Sequence, residues 1–595
     1  MTAPLPGRSK ATRRRKRRVR TKPWVFAALA ACLALTVGRG AAQVVSSISC
    51  SSHYQLINVA VSPDIAPAIQ QIAQVFNRQR HQAGGQCIAV QVNPEAPAQA
   101  AAQIDGEHSA AGQPAIDAWI PDSSLWVDKV RGYAIGAQTV NPSGFSVALS
   151  PLMIVMPQAA ATKTAAFGKT GWQLLLPRSA GGPVVPKNFR VDLPDPSQSA
   201  AGLATLIEMS RLLGPGQAAR VKFTKFVYSA TITSPFDDAA SLTSLVSLAA
   251  PPLDGEPATI TTEQAVLGYD LANPRQPLAA TYPTGQTSAL GSPEMDYPYV
   301  QTTTDHLRIA ASSVFGTMLR GRYAASVIRF YGFRSAGRPA GVPGQFPASF
   351  GLADQLLQVA PPASAVEEPS ALQSWNKLIL GSRDLALIDV SAVMAKPASP
   401  SDPTGPTIEK ELTQAASLGL GLFADTASIG LWEFADHLTG QLPYRQLVSI
   451  GPLPARLGVL TRRDQLQNVA VKLTPTGGPT VALYGSILDA YKYMRKTYQP
   501  KYFNTVVVLA SGLETAPGDI TAPALIRKLT AMANPDRRIA IIIIVFGSPP
   551  NFPDLQRIAD ATGGQAYEIT SADQVGKVFY QALAHRLCDP GCAAA

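Results

Sequence analysis

Histidine is scarce in this chain, with six in 595 residues, at positions 53, 81, 108, 306, 437 and 585. They form no constellation. Gly-x-Ser-x-Gly, His-Glu-x-x-His and Walker-loop patterns are missing too, so no familiar hydrolase, zinc-protease or nucleotide site is written here and no enzyme is expected. Charged residues are few as well, 15% against 46% apolar ones, a balance that excludes a disordered chain. Residues 1–42 lack acidic residues altogether and hold eleven Lys and Arg. The net charge of the whole chain is +11, so residues 43–595 sum to zero. A nucleic-acid binder carries its charge on the folded part, which excludes that class of partner.

What is present begins with that basic run, Arg8 to Lys22, followed by an apolar stretch from Trp24 to Val37. The order is that of a positive n-region and an h-region. We read 1–23 as a basic cytoplasmic tail and 24–42 as a signal or anchor. The apolar stretch is about 14 residues, short of the roughly 20 that span a bilayer. Two outcomes stay open: cleavage near Gly40-Ala41-Ala42 and secretion, or retention as a single-pass membrane anchor with the remainder outside the cell. Export suits the cysteines. Cys32 lies in the apolar stretch, which leaves Cys50, Cys87, Cys588 and Cys592, an even number. Cys588-Asp-Pro-Gly-Cys592 spans a turn, so we pair Cys588 with Cys592 and Cys50 with Cys87. A metal site there would want more ligands than His585.

A chain this long needs two or three domains. From 55 to 120 strands alternate with helices: strands at 56–61, 87–92 and 116–120, helices at 67–77 and 96–108. This rhythm predicts an α/β fold with a mostly parallel, doubly wound sheet. Residues 346–374 read as a Pro-rich linker with a short helix near 352–358. The rhythm restarts at 375. Strands are expected at 383–390, 427–434, 505–509, 539–546 and 565–569, and helices at 406–422, 481–495, 521–533, 553–562 and 571–587. Six Ile or Val fall in Ile539–Phe546, so that strand should be buried on both faces.

Several words in the first part carry a resemblance. They are Ser62-Pro63-Asp64-Ile65-Ala66-Pro67, Asp117 to Trp126, Ser150-Pro151-Leu152, Asp195-Pro196-Ser197, Thr262-Glu263-Gln264-Ala265 and Asp296-Tyr297-Pro298-Tyr299. Together they resemble bacterial extracellular solute-binding proteins of the type II periplasmic-binding fold used for oxyanions, over residues 50–345. That implies two α/β lobes and a ligand held where strand ends meet helix N-termini. The candidate ligand residues are Ser62, Ser123, Ser124, Ser150 and Ser197, whose hydroxyls would join free helix N–H groups. Serine is equally at home as a plain N-cap. Trp119 and Trp126 are expected in the core.

In the second part, Ile544-Val545-Phe546-Gly547, Leu555 to Gly564, Tyr567 and Val578-Phe579 resemble the von Willebrand factor A domain, over residues 375–590. A solute-binding module joined to such a domain is an arrangement known from actinobacteria. The resemblance implies a metal-ion-dependent adhesion site taking Mg²⁺ or Mn²⁺. Asp389, Ser391 and Thr480 stand at its positions. Val393 stands where a second Ser belongs, however, and Ser511 stands where an acid belongs. These losses count against a metal, unless Asp425 or Glu514 compensates. The expected function is non-enzymatic binding of a small molecule or protein partner by an exported surface protein. The alternative is a solute-capture component of an ABC-type transport system.

Overall fold

The computed structural model describes residues 54–106, 114–249, 255–284, 291–335, 344–354, 359–439, 442–476, 480–512 and 516–588. The basic tail, the signal or anchor segment, Cys32, Cys50 and Cys592 lie outside them. Cys87 and Cys588 are both disulfide-bonded; the partners expected for them lie outside the described residues.

The fold is α/β throughout, with two lobes followed by a doubly wound domain. Tyr54–Val61 is the central strand of the first lobe, and it pairs in parallel with Gln86–Pro94 and Ala118–Ile120. Pro298–Gln301 returns antiparallel beside Ala118–Ile120, and Asn141–Ser146 forms the edge. Helix Ala66–Arg78 buries Ile69, Ile72, Ala73 and Phe76 against this sheet, the i, i+3, i+4, i+7 stripe of an amphipathic helix. Trp119 and Trp126 are fully buried here, as expected.

The second lobe is built on Ala148–Pro157, flanked by Leu278–Thr281 and Glu256–Thr262, with Phe189–Pro194 and Ala230–Thr233 beyond. The last three strands named here run parallel to each other. The chain crosses between lobes at Val147, again at Asp296-Tyr297, and a third time near Phe333. After that crossing Arg334–Ser335 pairs with Ala148 and Leu149.

The stretch read as a linker is folded. Phe346 and Leu352 are buried against the second lobe. Glu367–Ile379 is a helix whose Ala371, Trp375 and Leu378 join the core of the first module. Pro369 sits in its first turn, where no N–H is missed. Residues 352–354 are not helical, and 355–358 lie outside the described residues.

The second domain has a six-stranded sheet in the order Leu442–Pro452, Ser428–Thr439, Ser382–Asp389, Phe503–Ala510, Ile539–Phe546 and Gln565–Ile569. Only the first of these pairings is antiparallel. Alternate residues of Ser382–Asp389 serve different faces. Leu385 and Leu387 meet the helices Leu483–Lys496 and Ala522–Met532, while Ala386 and Ile388 meet Ile408–Leu422 and Val575–His585. Ile539–Phe546 is buried on both faces but for one half-buried position.

One expectation is corrected. Among the described residues no helix is long and apolar enough to cross a membrane. The apolar stretch at 24–37, outside those residues, is about 14 residues, shorter than the roughly 20 that span a bilayer. The single-pass cell-membrane placement is therefore withdrawn.

Candidate functional site

Loops at strand ends of the two lobes face one another. The loop after Tyr54–Val61 carries Ser62 and Asp64, and the loop after Ala118–Ile120 carries Asp122 and Ser123. From the other lobe, the loop after Ala230–Thr233 carries Asp237. Carboxyl ends of parallel strands are where open α/β sheets present ligand groups. None of these three aspartates forms an ion pair among the described residues.

Their charges act on one another. Burial pushes the Asp122 carboxyl well above the usual range, and the charges of Asp64 and Asp237 push it further. Asp237 reaches solvent at the mouth, yet desolvation, and then the Asp64 charge, raise it to about 6. Asp64 is raised by burial against the pull of hydrogen bonds from Ser62 and Tyr297. Asp122 Oδ1 makes no hydrogen bond among the described residues.

Tyr297 ties this cluster to the second crossing. It is fully buried, and its hydroxyl donates to Asp64. Its N–H reaches Asp122 O at 3.2 Å, and its carbonyl accepts from Val147 N–H at 2.9 Å. Its φ is +38°, a left-handed backbone that a tyrosine adopts only under constraint. Phe333, at the third crossing, packs edge-on against its ring at 5.1 Å.

Two of the candidate serines reach this cleft. Ser62 is buried beside Asp64. Ser123 caps helix Ser124–Arg131, with its Oγ accepting from Leu125 N–H at 3.3 Å. The others hold turns. Ser124 N–H donates to Asp296 Oδ1 at 2.7 Å. Ser150 Oγ accepts from Gln264 N–H at 3.1 Å. Ser197 Oγ donates to Asp195 Oδ1 at 2.8 Å. In the sequence Asp64 and Asp122, each next to a proline, read as turn or cap residues, and Asp237 in Phe236-Asp237-Asp238 carries no signal of its own.

A buried ion pair locks the third crossing into the second lobe. Arg334 Nε and Nη2 donate to Glu263 Oε1 and Oε2 at 2.8 and 2.6 Å, with both residues almost fully buried. Tyr282 donates to the same carboxylate, and Arg334 Nη1 donates to Asp354 O at 2.9 Å. Residues 353–354 are thereby fastened to the lobe.

In the second domain, Asp389 and Ser391 lie at the end of the central strand and are fully buried. Asp389 Oδ1 accepts from Ser391 N–H at 2.9 Å; Oδ2 accepts from Ser511 N–H at 3.2 Å and Ser511 Oγ–H at 2.9 Å. Thr480 Oγ1 donates to Asp436 at 2.8 Å. Gly512 follows with φ +69°, where a Cβ would meet Pro549 at 2.5 Å. Asp425 lies at the opposite end of the sheet, before strand Ser428–Thr439, and pairs with Arg463. Glu514 lies outside the described residues. Mg²⁺ or Mn²⁺ wants six hard oxygens with carboxylate charge. Here the Asp389 carboxylate is bound by three donors, the Asp436 carboxylate takes the Thr480 hydroxyl, and Val393 supplies no oxygen. The donor set does not fit the ion. Among the described residues, no group of three or more His, Cys, Asp or Glu is placed to hold a metal.

Residues 57–334 match the family described as bacterial extracellular solute-binding protein. Over 546 residues the chain is 24% identical to an uncharacterised protein of Mycobacterium tuberculosis, with 87% of this chain and 74% of that one covered. Among solved structures, a von Willebrand factor type A protein from Catenulispora acidiphila is 16% identical with a TM-score of 0.26, over 35% of this chain and 43% of that one. A Trichodesmium protein solved with iron and citrate is 11% identical with a TM-score of 0.37, over 55% of this chain and 98% of that one. The family match covers 57–334 alone; beyond it the chain folds into the separate doubly wound domain described above.

Proposed function

We propose that this is a non-enzymatic binding protein whose first module captures a small molecule in the cleft between its lobes. The ligand carries positive charge or a dense set of O–H and N–H donors. The observation behind this reading is the group Asp64, Asp122 and Asp237, drawn from both lobes without an ion pair among the described residues. An anion would meet like charge there. A cation or polyol would supply what desolvated carboxylates want and would hold the lobes together. The strained Tyr297, set at a crossing and bonded to Asp64, supports the same place.

The test is a melting-shift screen on the full chain. Amines and polyols should stabilise it and oxyanions should not, and Asp122→Asn with Asp237→Asn should abolish the shift. Stabilisation by oxyanions alone would refute the reading. The solute-binding family match also favours a second reading, capture for an ABC-type transporter. Co-purification with a permease would support it. The von Willebrand factor A-like domain contributes binding through its loops without metal, in either reading.

A further inference from the structure

A cavity of about 140 Å³ lies in the second domain, far from the interlobe cleft. It sits between the sheet and the helices Ile408–Leu422 and Val575–His585. Its origin is visible in the sequence: the first helix presents Ala415, Ala416 and Gly419 where larger side chains would close the gap. The walls are almost wholly apolar. Its size is close to that of cavities that admit benzene, so a hydrocarbon segment fits.

One end is different. Asp384 and Arg586 line it, and they are 3% and 6% exposed. Arg586 Nη2 donates to Ser382 Oγ, and its guanidinium lies 4.2 Å over the Phe503 ring. Arg586 Nε and Nη1 and Asp384 Oδ2 make no hydrogen bond among the described residues. Unmet donors on a buried guanidinium are costly. An apolar slot ending in such a group matches a molecule with the same division.

We propose that this cavity binds a medium-chain alkyl carboxylate, its chain among the small residues and its carboxylate accepting from Arg586. A carboxylate suits the planar donor set of a guanidinium. Asp384, whose carboxyl is raised to about 6 by burial, opposes the anion least when protonated, so binding tightens as pH falls towards 6. The site borders the first module. Phe579, on its wall, meets Tyr228 of that module at 6.2 Å.

The experiment titrates the full chain with hexanoate, octanoate and decanoate below their micelle concentrations, with decanol and decyltrimethylammonium as controls. Saturable binding is expected, stronger by about fourfold per added methylene until the cavity is full. Ala416→Leu should abolish binding while leaving the melting temperature unchanged or higher. Arg586→Gln should weaken decanoate about tenfold and leave decanol alone. Three results would each overturn the proposal: no saturable binding, binding untouched in Ala416→Leu, or decyltrimethylammonium binding as tightly as decanoate.

Discussion

Replacing Arg334 by Met isolates the energetics of the third crossing. The substitution keeps an unbranched apolar stem and removes the guanidinium. Glu263 then loses the donors at 2.8 and 2.6 Å and keeps Tyr282 alone. Because Glu263 is fully buried, the uncompensated carboxylate should cost about 3–5 kcal/mol. That is a large part of the roughly 5–15 kcal/mol of a typical domain. The loss has a sign in pH. Burial already raises the Glu263 carboxyl above its ordinary value of 4.5 even with Arg334 present, and removing the cation raises it further. A native state that binds its proton more tightly is most stable below the unfolded pKa and loses stability as pH rises through the folded one. The variant should therefore be damaged far less at pH 4.5 than at pH 8. Hydrogen exchange at Glu256–Ala272, read by mass spectrometry, reports the local free energy without assuming that the whole chain unfolds together. Adding Glu263→Leu should recover much of the loss. A cost below about 1 kcal/mol at pH 8, the size of a surface pair, or one that is flat with pH, would refute the reasoning.

Other perturbations follow from the same structure. Glu368 is buried, its side chain makes no hydrogen bond among the described residues, and burial raises its carboxyl to about 7. Glu368→Gln should thus raise stability by about 1–3 kcal/mol at pH 8 and by little below pH 4.5, as urea unfolding at the two pH values will show. Glu367 is held down to about 2, first by its hydrogen bond to Arg211. Its contribution is therefore present above pH 4.5 and lost towards pH 2, and Arg211→Ala should flatten that acid limb in a melting-temperature profile. Millimolar Mg²⁺ should leave the melting temperature unchanged, while Asp389→Ala should lower stability by about 1–3 kcal/mol by unpairing the Ser391 and Ser511 N–H groups. A Mg²⁺-dependent rise would contradict the donor-set argument.

Legibility in the sequence varied with physical cause. Ile539–Phe546, a short apolar run bounded by turn residues, and Gln565–Ile569, a mixed segment opened by the Gly563-Gly564 turn, were placed residue for residue. The antiparallel edge strand Leu442–Pro452 gave no comparable signal, since its positions are exposed or half-buried, all but one, and carry no burial pattern. Helix Glu367–Ile379 was hidden by Glu367-Glu368-Pro369, which reads as a linker until its apolar face finds the first module. That Val393 brings no oxygen and Ser511 no carboxylate was legible, because a side chain's chemistry is visible at a single residue. The acidic cleft was not. Asp64, Asp122 and Asp237 are far apart in the chain, none signals more than a local turn, and only the facing of two lobes makes them one group.

Helix Glu367–Ile379 lies against both lobes at once. Arg211 and helix Gln217–Ser229 of the second lobe hold it on one side, while Glu368 feels Asp128 and Lys129 of the first on the other. It also leads straight into the central strand of the second domain. A rigid strut spanning two bodies senses any rotation between them. If the cleft takes a solute as proposed, its occupancy and the orientation of the distal domain are two readings of a single equilibrium. By reciprocity, whatever fixes the distal domain must change the affinity of the cleft by the factor the solute applies in return.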